Sequence, residues 1–504
     1  MKFNVMQRGI NKVLNKEGAP AYRLTPEWEL YSAAVTTSLC DSFYEKAAER
    51  VERIRSLVAA CDPLFVARLA VYAREEMNLR SIPLVLTVEL AKIHKGDNLA
   101  HRLTARSIQR ADEITELLAY YQQANQRAGV KKLNRLSKQL QAGLQEAFNK
   151  FDAYQFAKYN RDTDVRLRDA LFLVHPKAKD EQQQSVFDGI AQDALPTPYT
   201  WETELSLLGQ QATDNAAERK AAFKAKWEEL IDSGKLGYMA LLRNLRNLLE
   251  EEVSAEHLIK VGNYLSSEKA VRNSKQLPFR FLSAYRELSA IPSLYATLLM
   301  TALEKAIRAT AANIAGFDAS TSVLIACDVS GSMQRSISPK SKVQSYDIGL
   351  LLGMLLKSRC ERVITGLFGD QWKIVNLPDT GILASVDAFH KREGEVGYST
   401  NGYLVVKSLL DRKTIIDKIM IFTDCQLWNN RSDTQLQAMW KKYKQVSPRS
   451  KLYLFDLAGC GTTPLDVTSE DVYLIAGWSD KIFDILAATE QGQDALRKIK
   501  NLTV

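Results

Sequence analysis

The spacing of the hydrophobic residues changes near residue 317, and this change constrains the fold more than any other feature of the chain. From about residue 27 to about residue 316, apolar residues recur at intervals of three and four, which is typical of amphipathic helices. After residue 317, short β-rich runs alternate with helical segments. A chain of 504 residues is also too long for one hydrophobic core. We therefore predict a multidomain protein with an all-α domain at 1–317 and an α/β domain at 318–504.

The first domain is expected to consist of successive antiparallel helices joined by short turns. The predicted helices are 41–57, 63–78, 83–94, 99–122, 135–151, 164–174, 215–232, 238–249, 255–264, 276–289 and 292–312. The stretch 177–199 is predicted to be a surface loop or short insertion. This order predicts an α-solenoid of the HEAT or armadillo kind. Because the sequence has no clean repeat period, a plain helical bundle is the alternative.

The second domain is expected to contain a doubly wound parallel sheet. Its predicted strands are 322–328, 362–368, 418–422, 451–456 and 472–475, and its predicted helices are 346–358, 403–411, 433–443 and 481–489.

Polar residues at the ends of two of these strands predict a metal site. Asp328, Ser330 and Ser332 follow the first strand, Thr400 lies in a later turn, and Asp424 follows the third strand. Ligands of open α/β sheets bind at this carboxyl edge, and such oxygens suit a hard cation, Mg²⁺ or Mn²⁺. The alternative is an ordinary Asp-Ser turn. The order of these residues is that of a metal-ion-dependent adhesion site, and residues 318–504 resemble a von Willebrand factor type A (vWA) domain.

Composition favours a protein of the cytoplasm. Hydrophobic residues make up 46% of the chain and charged residues 25%, which is ordinary for a globular protein. No apolar run near Met1 predicts a signal peptide, and none elsewhere is long enough to span a bilayer. Six cysteines are scattered without metal-binding spacing, which favours reduced thiols. We therefore expect a cytoplasmic protein, a monomer, without contact to a membrane.

The net charge of +8 is concentrated in one stretch. Residues 127–177 contain eleven basic and five acidic residues, so +6 of the charge lies there. The basic residues are Arg127, Lys131, Lys132, Arg135, Lys138, Lys150, Lys158, Arg161, Arg166, Arg168 and Lys177. Such a stretch indicates a polyanionic partner, and a solvated helical face is the alternative.

Several segments of the helical half resemble one family. They are the pentapeptide 157–161 (AKYNR), 169–177 (DALFLVHPK), 200–202 (TWE), 239–247 (MALLRNLRN) and 277–281 (LPFRF). Followed by a vWA-like domain, they resemble the TROVE module of the Ro autoantigen family of RNA-binding proteins. The resemblance implies a ring of helical repeats closed by the vWA domain. It also implies small noncoding Y RNAs on the outer surface and single-stranded ends of misfolded RNA in a basic central cavity.

The resemblance places the outer RNA surface at Lys158, Arg161 and His175, with Tyr159 and Lys177 beside them. Lys158 and Arg161 are three residues apart, so we expect them to share a helical face and to neutralise adjacent phosphates. His175 is expected to stack on a base or to contact phosphate. Its alternative role is to cap the preceding helix.

A second set of basic residues is a candidate for the cavity. Arg243, Asn244 and Arg246 lie within one turn of a helix that is otherwise apolar, and Arg280 follows Pro278. Facing a cavity, these side chains would hydrogen-bond single-stranded RNA. The alternative is that Arg243 pairs with an acid of 250–251 and joins neighbouring helices, and Arg280 is also open to a structural role.

Nothing in the sequence indicates catalysis, since the motifs of serine hydrolases, zinc proteases and P-loop enzymes are missing. Three hypotheses remain. The favoured one is an RNA-binding scaffold, not an enzyme, that passes RNA to a nuclease or a repair partner in RNA quality control, as the resemblance implies. The second is a metal-dependent protein-adhesion module with the helical half as its platform. The third is a chelatase- or ATPase-associated vWA subunit.

Overall fold

The computed structural model describes residues 12–37, 39, 44–125, 136–211, 215–310, 317, 320–338, 341–376, 381–428, 435–469 and 471–504. The chain forms two compact units. The sheet unit comprises Met1–Leu57 and Ala311–Lys498, and the helical unit comprises Val58–Thr310 and Ile499–Val504. These units differ from a linear division at residue 317, because the N-terminal segment packs with the sheet. Within the described residues, no helix combines the length and the apolar character needed to cross a bilayer.

The N-terminal segment contains strands β1 (Lys12–Leu14) and β2 (Pro20–Arg23) and helices α1 (Pro26–Val35) and α2 (Ala47–Ala60). The two strands form an antiparallel hairpin, with Lys12 opposite Tyr22. The hairpin was not predicted, because its position depends on partners far along the chain. Helix α1 was predicted only as the beginning of the helical pattern near residue 27, without bounds of its own. Tyr31 of α1 accepts a hydrogen bond from the Ala476 backbone N–H at 3.2 Å, and Ser32 donates to the carboxylate of Asp456. These contacts place the segment in the sheet unit.

The helical unit is built from helices whose bounds follow. They are α3 (Pro63–Val71), α4 (Ser81–Ile93), α5 (Leu99–Ser107), α6 (Asp112–Ala124), α7 (Lys138–Phe148), α8 (Ala153–Tyr159), α9 (Leu167–Val174), α10 (Glu181–Ala191), α11 (Trp201–Gln211), α12 (Ala216–Asp232), α13 (Tyr238–Glu250), α14 (Ala255–Ser266), α15 (Glu268–Ser274), α16 (Pro278–Ser289) and α17 (Leu294–Thr310), with a π-helical turn at Tyr72–Glu76. The predicted helical character of this half is confirmed.

Local capping explains where several helices begin. Asp62 accepts from the Leu64 N–H at 3.3 Å, and Pro63 occupies the first helical position, where a missing N–H costs nothing. Asp152 and Gln155 form a reciprocal capping box at the start of α8, with distances of 2.7 and 3.0 Å. Such signals are short-range, so they are visible in the local sequence.

The single helix predicted at 99–122 is wrong, because the chain breaks between α5 and α6. Ile108 has an extended ψ of 110°. The carboxylate of Glu113 accepts hydrogen bonds from the N–H groups of Gln109 and Arg110 at 2.8 and 3.0 Å. These bonds satisfy backbone donors at the break, and Glu113 also pairs with the buried Arg74 at 2.9 Å.

The surface loop predicted at 177–199 is also wrong, because it contains helix α10. Asp180 caps this helix by accepting from the Gln183 N–H at 2.7 Å. Phe187 and Ile190 are buried, and the Phe187 ring packs edge-on against Phe148 at 5.9 Å. The helix forms because one face of a polar-looking segment reaches the core shared by α4 to α10.

The sheet unit is an α/β layer structure. After the segment already described it contains β3 (Ser322–Asp328), α18 (Ser345–Lys357), β4 (Arg362–Phe368), β5 (Trp372–Ile374), α19 (Ile382–His390), α20 (Tyr403–Asp411), β6 (Lys418–Thr423), α21 (Leu436–Val446), β7 (Lys451–Asp456), β8 (Thr462–Thr463), β9 (Val472–Ala476), α22 (Ile482–Glu490) and α23 (Ala495–Lys500), with short 3₁₀ turns at Gly331–Gln334 and Glu393–Val396. The predicted strands all form, within one residue of their expected ends.

The main sheet has the strand order β5-β4-β3-β6-β7-β9. All pairs are parallel except the edge pair β4–β5, so the sheet is mixed rather than purely parallel. Ile325 and Cys327 face α18, where Gly353 allows close approach. Leu324 and Ala326 point the other way, into the core of α20 and α21. Strand order reverses at β3, so a crevice is expected at the carboxyl ends of β3 and β6.

Candidate cation site and nucleic-acid surfaces

Asp328 is the last residue of β3, and its carboxylate lies at the point where strand order reverses. Its Oδ1 accepts a hydrogen bond from the Ser330 N–H at 2.9 Å, and its Oδ2 accepts one from the Thr423 hydroxyl at 2.6 Å. The side chain is buried, with 1% of its surface exposed. Strand β3 therefore ends in a desolvated carboxylate whose orientation is fixed by the loop after β3 and by the last residue of β6.

Asp424 follows β6 and meets the same cluster. Its Oδ2 accepts from the Ser332 hydroxyl at 2.6 Å, and its Oδ1 accepts from the Gln426 N–H at 2.8 Å. The hydroxyls of Ser330 and Ser332 are 3.2 Å apart. The structure thus joins Asp328, Ser330, Ser332 and Asp424 in one hydrogen-bonded group.

Thr400 is connected to this group through the loop after β6. Its hydroxyl accepts a hydrogen bond from the Trp428 N–H at 2.6 Å. The neighbouring Tyr398 carbonyl accepts from the Gly331 N–H at 3.1 Å, which ties the same turn to the loop after β3. Thr400 is buried, as are the other four predicted ligands.

The electrostatics of the two carboxylates favour a bound cation. Burial raises the pKa of Asp328 to about 6. Burial and the nearby charge of Asp328 raise the pKa of Asp424 to about 7. Among the described residues, no ion pair joins a basic side chain to either carboxylate, so their charged forms lack compensation. A divalent cation between them would supply it.

The donor chemistry fits a hard cation. The predicted ligand set has two carboxylates and three hydroxyls, which suits Mg²⁺ or Mn²⁺. In the parts of the chain that the structure describes, no group of three or more His, Cys, Asp or Glu side chains could hold a metal ion. A soft-metal or zinc centre is therefore not supported there.

Sequence reasoning missed three residues beside this site. Thr423 precedes Asp424 at the strand end, so its proximity could have been inferred. Tyr44 lies within hydrogen-bonding reach of Ser332, and its hydroxyl donates to Glu17 Oε1 at 2.7 Å. No local pattern links these two N-terminal residues to the site.

The predicted outer RNA surface lies on α8, on α9 and in the connection between them. Lys158 is exposed, with its Nζ 5.9 Å from the Tyr154 ring centre and 5.8 Å from that of Tyr159. The guanidinium of Arg110 lies 4.4 Å over the Tyr159 ring. Arg161 is exposed but lies beyond the end of α8 at Tyr159, so the expectation that Lys158 and Arg161 share a helical face is wrong.

His175 and Lys177 extend this surface beyond the end of α9. His175 adopts the left-handed conformation, with φ of 51°, and its N–H donates to the Leu171 carbonyl at 2.9 Å, so its backbone caps the helix. Gln145 donates to the His175 carbonyl at 3.1 Å, and Asn149 donates to that of Lys177 at 2.9 Å. With the backbone anchored on α7, both side chains are exposed.

Only some of the basic residues at 127–177 are both described by the structure and available as unpaired surface charge. Lys150 is turned inward, where its Nζ donates to the carbonyls of Ala105 and Ile108, and burial lowers its pKa. Arg166 pairs with Asp162. Four of the predicted basic residues lie outside the described residues: Arg127, Lys131, Lys132 and Arg135.

The second predicted set divides into two environments on α13 and α16. Asn244 is buried, and its amide donates to the Ala240 carbonyl at 2.8 Å, so it serves its own helix. Arg246 pairs with Glu250 at 2.7 Å and with Glu287 at 3.3 Å. Glu250, one of the two acids predicted as alternative partners of Arg243, is thus paired with Arg246.

Arg243 and Arg280 form an uncompensated pair of guanidinium groups. Both side chains are exposed on neighbouring helices. Burial of part of its surface and the positive charge of Arg243 lower the pKa of Arg280. Within the described residues, no carboxylate forms an ion pair with either group. This arrangement favours an anion.

The fold and these surfaces define a class: a protein with a helix-rich unit and a mixed α/β unit that has a carboxylate–hydroxyl cluster at its switch point. The TROVE domain matches residues 32–194 and 193–304, which is more than half of the chain. The chain therefore belongs to the TROVE domain family, whose members bind RNA, and the predicted resemblance is confirmed.

Individual relatives agree with this assignment. Telomerase protein component 1 of Rattus norvegicus is 27% identical over 319 residues, which cover 48% of this chain and 12% of that protein. Its Mus musculus counterpart is 26% identical over 315 residues, covering 47% of this chain and 11% of that protein. The chain thus matches only a small part of the length of these curated relatives.

The fold is similar to that of a solved structure. The Ro (RSR) protein of Deinococcus radiodurans superposes with a TM-score of 0.60 at 17% identity, over 92% of this chain and all of that chain. This likeness supports the order of a helix-rich part followed by a mixed parallel sheet.

Proposed function

We propose that the chain is an RNA-binding scaffold. It binds a small noncoding, Y-like RNA on the surface formed by α8, α9 and the residues after them, and it binds single-stranded RNA ends at Arg243 and Arg280. The observation that carries this proposal is an exposed Lys158 with its Nζ within 6 Å of two tyrosine ring centres, in a chain of the TROVE family.

The α8–α9 surface has the two chemistries that RNA recognition needs. Exposed aromatic rings accept the faces of unpaired bases, and neighbouring cations neutralise phosphates. Tyr154 is 45% exposed, so its ring does not serve packing alone. Lys158, Arg161, His175 and Lys177 supply donors along the same surface. The combination indicates a polynucleotide rather than a protein partner.

The Arg243–Arg280 pair suits the phosphates of a single strand. Guanidinium groups bind phosphate through paired hydrogen bonds, and two such groups without acidic partners repel one another until an anion is bound. Arg246 is already paired with two carboxylates, so it contributes less. This second surface would receive the unstructured end of an RNA.

In the sheet unit, Asp328, Ser330, Ser332, Thr400 and Asp424 would hold Mg²⁺ or Mn²⁺. When bound, the cation supplies a positive centre to which a carboxylate ligand can add. A nuclease or a repair protein would receive the RNA from the scaffold, and this chain's role is binding rather than catalysis. The adhesion alternative lacks a supporting observation.

The salt dependence of RNA binding tests the outer surface. We expect the affinity for a Y-like RNA stem-loop to fall steeply with salt, because each phosphate neutralised contributes a slope of about 0.9. Lys158→Ala combined with Arg161→Ala should reduce that slope by about 1.5 and weaken binding at low salt. Filter binding or fluorescence anisotropy over a salt series measures both quantities.

The matched control is Lys441→Ala with Lys442→Ala, which removes the same charge from exposed positions of α21. It should leave the slope unchanged. Equal slopes for the wild type and the α8-surface double variant would refute the assignment of RNA to this surface.

A further inference from the structure

The turn between β1 and β2 rests on the loop that carries Asp424. The Asn15 side-chain amide donates to the Leu427 carbonyl at 2.8 Å, and the Lys16 N–H donates to Gln426 Oε1 at 2.9 Å. Gln426 in turn donates its own N–H to Asp424 Oδ1 at 2.8 Å. The hairpin turn therefore contacts the residue whose backbone N–H orients a candidate cation ligand.

Hydrogen bonds within the turn fix the backbone position of Glu17. Asn15 is buried, and its Oδ1 accepts from the N–H groups of Glu17 and Ala19 at 3.0 and 2.9 Å. Gly18 has φ of +74°, a conformation that glycine adopts without strain. Beyond the turn, Tyr22 of β2 pairs with Thr463 of β8.

Tyr44 connects Glu17 to the cation site. Its hydroxyl donates to Glu17 Oε1 at 2.7 Å and lies within hydrogen-bonding reach of Ser332. A chain of contacts thus runs from Asp424 through Ser332 and Tyr44 to Glu17.

We infer that Tyr44 and Glu17 form an intrachain cap on the cation site, and that an external carboxylate ligand must displace this cap to reach the cation. The inference rests on the proposed cation site. Carboxylates add to bound Mg²⁺ or Mn²⁺, and Tyr44 holds the carboxylate of Glu17 through a hydrogen bond. The ligand class that competes with the cap is therefore an acidic side chain or another carboxylate.

The cap has a consequence for ligand affinity. An incoming carboxylate enters a region that already carries the charge of Glu17, and it must disrupt the Tyr44–Glu17 hydrogen bond. Removing either partner lowers this cost. Hydrogen bonds to charged groups are strong enough for the loss of one to change affinity by about tenfold.

Mn²⁺ alone and acetate as the carboxylate probe test this inference in the full chain. Electron paramagnetic resonance and water-proton relaxation report Mn²⁺ binding and the addition of acetate to bound Mn²⁺. The variants are Tyr44→Phe, Glu17→Gln and Asp328→Ala. Glu361→Gln is the matched control, because residue 361 precedes β4 and so lies at the opposite edge of the sheet.

We expect Mn²⁺ to bind to every form except Asp328→Ala. Acetate should bind to the Mn²⁺ complexes of Tyr44→Phe and Glu17→Gln about tenfold more tightly than to those of the wild type and Glu361→Gln.

Each other outcome overturns a specific statement. If the wild type binds no Mn²⁺, the proposals of the cation site and of the cap are both wrong. If Mn²⁺ binds but acetate affinity is the same in all forms, the cap alone is wrong and the cation site stands. Loss of Mn²⁺ binding in Tyr44→Phe or Glu17→Gln would make these residues ligands rather than a cap.

Discussion

At the scale of single residues, the arginines of α13 and α16 show how neighbours decide the role of a charge. Arg246 is paired with Glu250 and Glu287, whereas no ion pair among the described residues involves Arg243 or Arg280. The sequence presents all three as equivalent basic residues near apolar helices. Only the packing of α13 on α16 separates a structural ion pair from a candidate phosphate site, because the acids involved lie on both helices.

This separation predicts different effects of substitution. Arg243→Gln combined with Arg280→Gln should weaken binding of a single-stranded oligouridylate by about tenfold or more, since charged hydrogen bonds to phosphate are lost. Binding of a Y-like stem-loop should change little. Fluorescence anisotropy with the two RNAs measures the contrast.

Arg246→Gln is the control for this prediction, because it removes the same charge from an arginine that is already paired. Its effect on oligouridylate binding should be clearly smaller. A loss equal to that of the Arg243–Arg280 double variant would mean that pairing with Glu250 and Glu287 does not decide which arginine binds RNA.

At the scale of elements, the strands of the sheet were predictable and several helices were not. A buried parallel strand is a continuous apolar run between turns, so β3, β4 and β7 were found with their observed ends. The break between α5 and α6 depends on Glu113, and α10 depends on contacts of Phe187 with α7. The spacing of apolar residues along the chain predicts neither a capping carboxylate nor an aromatic partner from another helix.

Helix α10 offers a test of how much its cap contributes. Asp180→Ala should destabilise the helix by about 1 kcal/mol, because the Gln183 N–H loses its acceptor. Protection of the amides of residues 181–191 should then fall about fivefold in hydrogen exchange measured by mass spectrometry.

Glu181→Ala serves as the comparison, since this exposed neighbour lies in the first turn without capping the helix. Its effect should be a few tenths of a kcal/mol. Equal loss of protection in the two variants would indicate that charge near the helix terminus, rather than the cap, stabilises α10.

At the scale of the whole molecule, the two compact units carry different candidate chemistry. The α8–α9 surface and the Arg243–Arg280 pair lie in the helical unit, and the carboxylate–hydroxyl cluster lies in the sheet unit. The family assignment covers the former, because the TROVE domain match ends at residue 304. The cation site is supported instead by its own geometry and electrostatics.

We therefore expect the two activities to be separable. Asp328→Ala should abolish Mg²⁺ and Mn²⁺ binding, because it removes one of the two carboxylates of the site. RNA affinity should remain within about twofold, since the proposed RNA surfaces lie in the other compact unit and the effects of mutations at independent sites are additive. Calorimetry measures the metal and anisotropy measures the RNA; full metal uptake by this variant would contradict the site.

The sequence by itself determined the helical character of the first half, the strands of the sheet, and the loops in which four of the predicted ligands meet. These features depend on short-range periodicity and on the rule that parallel strands end at one edge. Only the tertiary structure decided that the N-terminal segment packs with the sheet, that Tyr44 and Glu17 reach the site of Asp424, and that Arg243 and Arg280 lie on helices in contact with each other. The physical reason is that contacts between distant segments follow from how whole elements pack, and local patterns do not record that packing.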